Sequence, residues 1–334
     1  MRRAAGLVLG ALALLVLSHV LVEALHLRFA QPAADESIRS LEVFRTAFGR
    51  VDVALLGSSQ IRRGVSASLL ARELSAARGQ DTRVFNLGLQ AGTLPAYTIV
   101  ARDLLVGEQM PAVIVLGLGA RCANSNNPRH SRVVRHLMAP RDWLGPMGAR
   151  LSRPAELAAL PVAAFRAPAT LLLAWRSEDH DFAAGVLARQ GSFHAEDGES
   201  AGPDPTALSA RTAARAKENR DDLLVDFAAH GRAEFALEEL FRLGRERGIA
   251  LLVANLPVSA EFAAQAYTRG EDAAYLAMLR ETCARNHARW VDLNAATWGM
   301  ESFDDGDHLS AAGARRCTEM LAPEILDVWR ASPE

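Results

Sequence analysis

Short apolar runs alternate with longer amphipathic stretches from Val51 onward. VDVALLG (51–57), TRVFNLG (82–88) and PAVIVLGLG (111–119) read as strands. Each is short for a helix, and each ends at a glycine that signals a turn. Between them, SASLLARELSAAR and LPAYTIVARDLLV carry apolar residues at helical spacing. The second has Pro95 near its first turn, where a missing N–H breaks no helical bond. PAVIVLGLG is almost wholly apolar, which predicts a central strand buried on both faces. The β-α-β-α-β order predicts a parallel sheet with helices on both sides.

The rhythm loosens after Asn127 and resumes near Glu234. The stretch at about 128–226 reads as an insertion or cap. It holds helical pieces such as AELAALPVAAFRAPATLLLAWR and a polar loop, GSFHAEDGESAGPDPTALS. Beyond it, EFALEELFRLGRERG predicts an amphipathic helix ended by Gly248, and IALLVANLP a strand stopped by Pro257. DAAYLAMLRETCARNHA reads as a helix, ARWVDLN as a short strand and SAAGARRCTEMLAPEILDVWR as the last helix. The expected fold class is therefore α/β, a flavodoxin-like doubly wound parallel sheet of about five strands with a helical insertion.

The N-terminus adds a compartment. Ala4 to Val22 is an uncharged apolar run behind Arg2 and Arg3. Its length is near the minimum for crossing a hydrocarbon core of about 30 Å. It exceeds the roughly 7–15 residues of a signal-peptide core, and no small-residue cleavage motif follows closely. The expectation is an uncleaved signal anchor, an N-terminal transmembrane helix within 1–30, with a cleaved signal peptide as the competing reading. Basic residues before the span favour a cytoplasmic N-terminus. A juxtamembrane segment (31–50), with a short helix in SIRSLEVFRTAF, would then lead to an extracytoplasmic or periplasmic domain over 51–334.

Composition narrows the partners. The formal net charge of -2 offers no concentrated basic face for nucleic acid. No G-x-G-x-x-G or P-loop follows the first strand, which disfavours a nucleotide-binding protein. The three cysteines, Cys122, Cys283 and Cys317, show no metal spacing. If two pair, Cys283 and Cys317 are the expected couple; three buried free thiols is the other reading. No metal or organic cofactor is implied.

The chemistry-bearing residues lie at two strand ends. Gly57-Ser58-Ser59 follows the first strand, where α/β proteins place their sites. Asp305 and His308 stand three apart before the last helix, with Ser310 placed to cap it. A carboxylate so close can fix the imidazole tautomer and leave the other ring nitrogen for a nucleophile. Asp304 and Asp307 are neighbours that could orient His308 instead. In a doubly wound sheet both loops fall on the carboxyl edge. Arg62 and Arg63 are expected to face solvent, and His194 and His287 show no partner pattern.

With these residues the chain resembles the SGNH (GDSL-type) hydrolases, and within them membrane-anchored, exported members of O-acyl and D-alanyl polymer-modification pathways. The first block falls on Gly57-Ser58-Ser59, with Ser59 as nucleophile, and the last on Asp305 and His308, followed by HLSAAGARR. The second, usually N-x-G-x-x-G, falls on FNLGLQAGTLP. Asn86 and Gly88 match there, Ala91 holds the place of the later glycine and Gly92 sits one residue on. The third block departs. Where the family has G-x-N-D, this chain reads LGLGARCANSNN, with Arg121 in the place of the oxyanion asparagine and Cys122 in that of the aspartate. Arg121 could supply positive charge to an oxyanion or bind an anionic group, and Asn124 or Asn126 could fold back into the site.

The resemblance covers about 51–127 and 249–329. It implies a Ser59–His308–Asp305 triad performing acyl transfer, with oxyanion or substrate contacts from Ala91, Gly92, Arg121 and Asn124. The expected function is that of a serine esterase or O-acyltransferase working on O-acyl groups of an extracytoplasmic glycan or envelope polymer. A membrane-bound O-acyltransferase is the implied partner. The alternative is a binding or scaffold subunit with a weak or silent site beside such an acyltransferase. Serine reactivity separates the two.

Overall fold

The structure is a computed structural model and describes residues 36–128, 179–193 and 204–331, together with Leu14 and Leu17. The expected span at Ala4–Val22 and the AELAALPVAAFRAPATLLLAWR piece lie outside the described residues, those two leucines apart. No described helix is long and apolar enough to cross a membrane.

Five parallel strands form one sheet: β1 (Val53–Gly57), β2 (Val84–Asn86), β3 (Val113–Leu118), β4 (Ala250–Asn255) and β5 (Arg289–Asp292). Their order is β2-β1-β3-β4-β5, the flavodoxin-like arrangement, with the apolar β3 at the centre. Strand periodicity splits β1 between two cores. Ala54 and Leu56 enter one, Val53 and Leu55 the other.

The first core is closed by α1 (Glu36–Val43), α4 (Leu94–Leu104), α5 (Ala120–Ala123), α6 (Asp179–Ala188), α8 (Arg232–Arg247) and α10 (Glu271–Arg285). The second is closed by α2 (Ser59–Gly64), α3 (Ala67–Arg78) and α11 (Ala311–Ala331). A smaller cluster joins α7 (Pro205–Glu218) to α9 (Ala260–Ala266) through Ala216, Phe262 and Ala266.

Three expectations change. The segment read as polar loop to Ser209 is helical from Pro205. Asp204 caps it by accepting from the Ala207 N–H at 3.1 Å, and proline occupies the first position. Arg62 is buried rather than solvated, because its guanidinium meets Glu36 at 3.1 Å and its stem packs on Gly88. Cys283 and Cys317 are free thiols on opposite faces of the sheet, one in each core, so no bridge joins them. Burial pushes both thiols up to about 12.

Candidate active site

Ser59 is placed by a turn with no spare room. A Cβ on Gly57 would lie 2.5 Å from the Gly117 carbonyl oxygen, so β1 and β3 close on each other as only glycine permits. Ser58 then caps α2, its hydroxyl accepting from the Gln60 N–H at 3.1 Å. This sets Ser59 as the first helical residue, at the carboxyl edge. Asn86 at the end of β2 braces that helix. Its amide donates to the Ile61 and Val65 carbonyls at 2.9 and 3.0 Å, and its oxygen accepts from the Gly88 N–H at 3.0 Å.

The opposing loop is a tight return. Phe303 and Leu309 form an antiparallel bridge, and the Asp304 N–H donates to the His308 carbonyl at 2.9 Å. Ser310 caps α11, accepting from the Gly313 N–H at 3.3 Å. Within the loop, Asp305 accepts from the His308 backbone N–H at 3.0 Å and faces Nδ1 at 2.8 Å through its other oxygen. The imidazole Nε2 lies 2.8 Å from Ser59 Oγ. The structure thus brings Ser59, His308 and Asp305 into one chain of hydrogen bonds. Ser59 and His308 are buried and Asp305 is half-buried.

A second ionic chain crosses this one. Arg121, on α5 after β3, donates from Nη2 to Ser59 Oγ at 3.1 Å. Its Nη1 is paired with Asp307 Oδ2. Asp307 Oδ1 accepts from Arg215 Nε at 3.0 Å and stands 3.1 Å from His308 Nδ1. Arg121 and Asp307 are buried, with side-chain exposures of 8% and 1%, so each guanidinium and carboxylate depends on the other for its charge. Asp305 is closer to Nδ1 than Asp307, and no described arginine is bonded to it. Burial pushes the Asp305 carboxyl up, but the hydrogen bond and charge of His308, with Arg215 nearby, outweigh burial and hold it well below the usual carboxylate range. Burial favours the neutral form of Arg215, yet the Asp307 and Glu218 carboxylates more than offset this and hold its guanidinium charged.

The remaining candidates divide. Ala91 has φ 55°, a left-handed backbone that alanine adopts at a cost, in the loop beside the Ser58–Leu89 bridge. Gly92 is committed elsewhere. Its N–H donates to the Leu89 carbonyl at 3.0 Å, and a Cβ there would meet Tyr97 at 2.7 Å. Packing therefore demands this glycine. Asn124 is committed as well. It donates to the Leu223 carbonyl at 2.8 Å and accepts from the Ala228 N–H at 3.1 Å, pinning the 223–228 loop rather than folding into the site. Asn126 likewise donates to the Asp226 carbonyl at 2.8 Å. Arg215 is the residue that sequence reasoning missed. It lies in the insertion, in a helix whose arginines carry no spacing that marks one of them. Among the described residues Asp305, Asp307 and His308 form the one cluster with metal-ligand spacing, and its donor atoms are engaged in the contacts above.

No family model matches the chain, and no curated protein matches it. Solved structures do. The lipase/acylhydrolase from Enterococcus faecalis is 13% identical, with 82% of this chain and 95% of that one covered at a TM-score of 0.41. A GDSL-like lipase from Bacteroides thetaiotaomicron is 9% identical, with 83% and 88% covered at 0.38. The aryl esterase of M. smegmatis is 12% identical, with 83% and 99% covered at 0.37.

Proposed function

We propose that the chain is an SGNH-type serine ester hydrolase or O-acyltransferase acting through Ser59, His308 and Asp305. One observation carries the reading: Ser59 Oγ, His308 and Asp305 are linked in sequence at 2.8 Å each, in the roles acyl transfer needs. Asp305 accepts a hydrogen bond from Nδ1–H and stays ionised, which fixes the tautomer and leaves Nε2 free to take the proton of Ser59. Ser59 attacks the ester carbonyl, and the carbonyl electron pair becomes an oxyanion. His308 returns its proton to the departing alcohol as the C–O bond breaks. A water or a sugar hydroxyl then repeats the steps on the acyl-serine.

The oxyanion needs donors that are aimed before it forms. Arg121 already rests on Ser59 Oγ, which is bonded to the same carbon as the oxyanion in the intermediate. The Ser59 N–H at the start of α2 and the Ala91 segment are the backbone candidates. Strained left-handed alanine at this place is the kind of backbone outlier that functional loops retain.

The reading extends to location and substrate. The uncharged N-terminal run supports a single-pass anchor in the cytoplasmic membrane, with this domain on the extracytoplasmic side. The two described residues of that run, Leu14 and Leu17, are helical and 70% and 68% exposed, consistent with a face that meets lipid rather than the domain. The natural substrates of such a domain are O-acyl groups on an envelope glycan or polymer, in partnership with a membrane-bound O-acyltransferase. The test uses the full chain in mild detergent with p-nitrophenyl acetate, with and without an oligosaccharide acceptor. The expected result is Ser59-dependent release of nitrophenol, faster or diverted to acetylated sugar when the acceptor is present. Release that Ser59→Ala leaves unchanged overturns the reading. Absence of release from folded protein moves the assignment to a scaffold subunit, a role that the burial of Ser59 favours.

A further inference from the structure

The insertion helix α7 does more than cover the site. Its residue Thr212 packs on the turn that carries Asp305 and His308. Gly306 in that turn has φ 83°, and a Cβ there would fall 2.6 Å from Thr212 Cγ2 and 3.0 Å from Phe262 Cβ. The Gly306 carbonyl accepts from the Ser259 N–H at 2.7 Å, at the start of α9. Helix α7 is seated on α9 through Ala216 and Phe262. The insertion thus packs on the catalytic loop directly through Thr212 and indirectly through α9, whose first turn is bonded to that loop. One turn after Thr212 comes Arg215, which bonds Asp307 at 3.0 Å and Glu218 at 2.5 Å.

The two oxygens of Asp307 are divided between two arginines from distant parts of the chain. Arg215 holds one, and Arg121 the other. Arg121 has one remaining arm, and that arm lies 3.1 Å from Ser59 Oγ. A guanidinium is a rigid planar fork, so fixing one arm aims the other. An unanchored arginine would swing among rotamers, and an oxyanion donor has to be in place before charge develops.

We propose that Asp307 and Arg215 are positioning residues that seat the Arg121 guanidinium as the oxyanion donor, so that the insertion completes the active site. This rests on the acyl-transfer reading above. In this division of labour Asp305, the nearer to Nδ1 at 2.8 Å, orients the imidazole, while Asp307, 3.1 Å from Nδ1 but held by both arginines, orients the guanidinium. A third-block asparagine is replaced by an arginine that requires a carboxylate from the last block and a brace from the insertion.

Chemical rescue tests it, with the full chain, p-nitrophenyl acetate and guanidinium chloride kept well below its denaturing range. Arg121→Ala is expected to lose about 10²–10³ in kcat with little change in KM. Added guanidinium should restore a large part of that loss, because Asp307 still offers it a seat. In Arg121→Ala/Asp307→Asn the same addition should restore nothing. Arg215→Gln should lower kcat about tenfold at unchanged KM, and Arg215→Lys should recover most of it. Should Asp307→Asn fail to fold by circular dichroism, the two Arg215 variants carry the test. Equal rescue with and without Asp307, or wild-type kcat in Arg215→Gln, overturns the proposal. Wild-type protein with no Ser59-dependent turnover would instead overturn the acyl-transfer reading itself, and this proposal with it.

Discussion

The imidazole side and the guanidinium side of the site are built on different plans. Asp305 and His308 come from one loop, three residues apart, and meet through that loop's own backbone. Arg121, Asp307 and Arg215 come from the end of β3, the last loop and the insertion. The first arrangement is local and costs little chain entropy to assemble. The second draws three remote segments together and buries two of their charges, so it is sensitive to any change in one partner. In the proposed mechanism, orientation of the base is thereby placed where folding is simplest, while charge stabilisation depends on the completed tertiary structure.

Substitutions rank the two sides. Ser59→Ala or His308→Ala should lose about 10⁶ in kcat, as removal of a member of a cooperating triad does. Asp305→Asn should lose about 10⁴ through the wrong imidazole tautomer. Arg121→Gln should lose about 10²–10³. Steady-state ester hydrolysis measures all four. An Asp307→Asn loss as large as that of Asp305→Asn would erase the distinction between the carboxylates.

Stability should rank them in the reverse order. Asp307→Asn leaves buried Arg121 without its counter-charge and should cost about 3–5 kcal/mol in denaturant unfolding. Asp305 acts through pH instead. Its folded carboxyl is held below the unfolded value of about 3.9, so its contribution is complete above that value and is lost as pH falls below it. Wild type should therefore lose more stability than Asp305→Asn between neutral pH and about pH 3, as read by thermal melts. At the low end, Arg289→Gln removes a surface pair with Glu324 and should change stability by less than about 1 kcal/mol.

What was legible in the sequence follows the same divide. Apolar runs ending in glycine mark β1 and β3, and alternating strands and helices mark the doubly wound sheet. Ser59, Asp305 and His308 sit at strand ends or share a loop, so spacing finds them. Arg121 was visible as a departure from the third block, but not its orientation, which depends on Asp307 and Arg215. Asn124 was misleading because an asparagine near a site looks free in a sequence, whereas here its amide pins a loop about 100 residues away. Gly92 misled for a related reason, since its contact with Tyr97 is tertiary. Arg62 was expected in water because the residue that buries it, Glu36, precedes the first strand.

The most direct test of the central claim is to treat the full chain with a fluorophosphonate and locate the adduct by peptide mass spectrometry. An activated serine predicts a single adduct on Ser59, absent from His308→Ala and strongly slowed in Asp305→Asn. An unlabelled Ser59 in folded wild type, or equal labelling in His308→Ala, would contradict it.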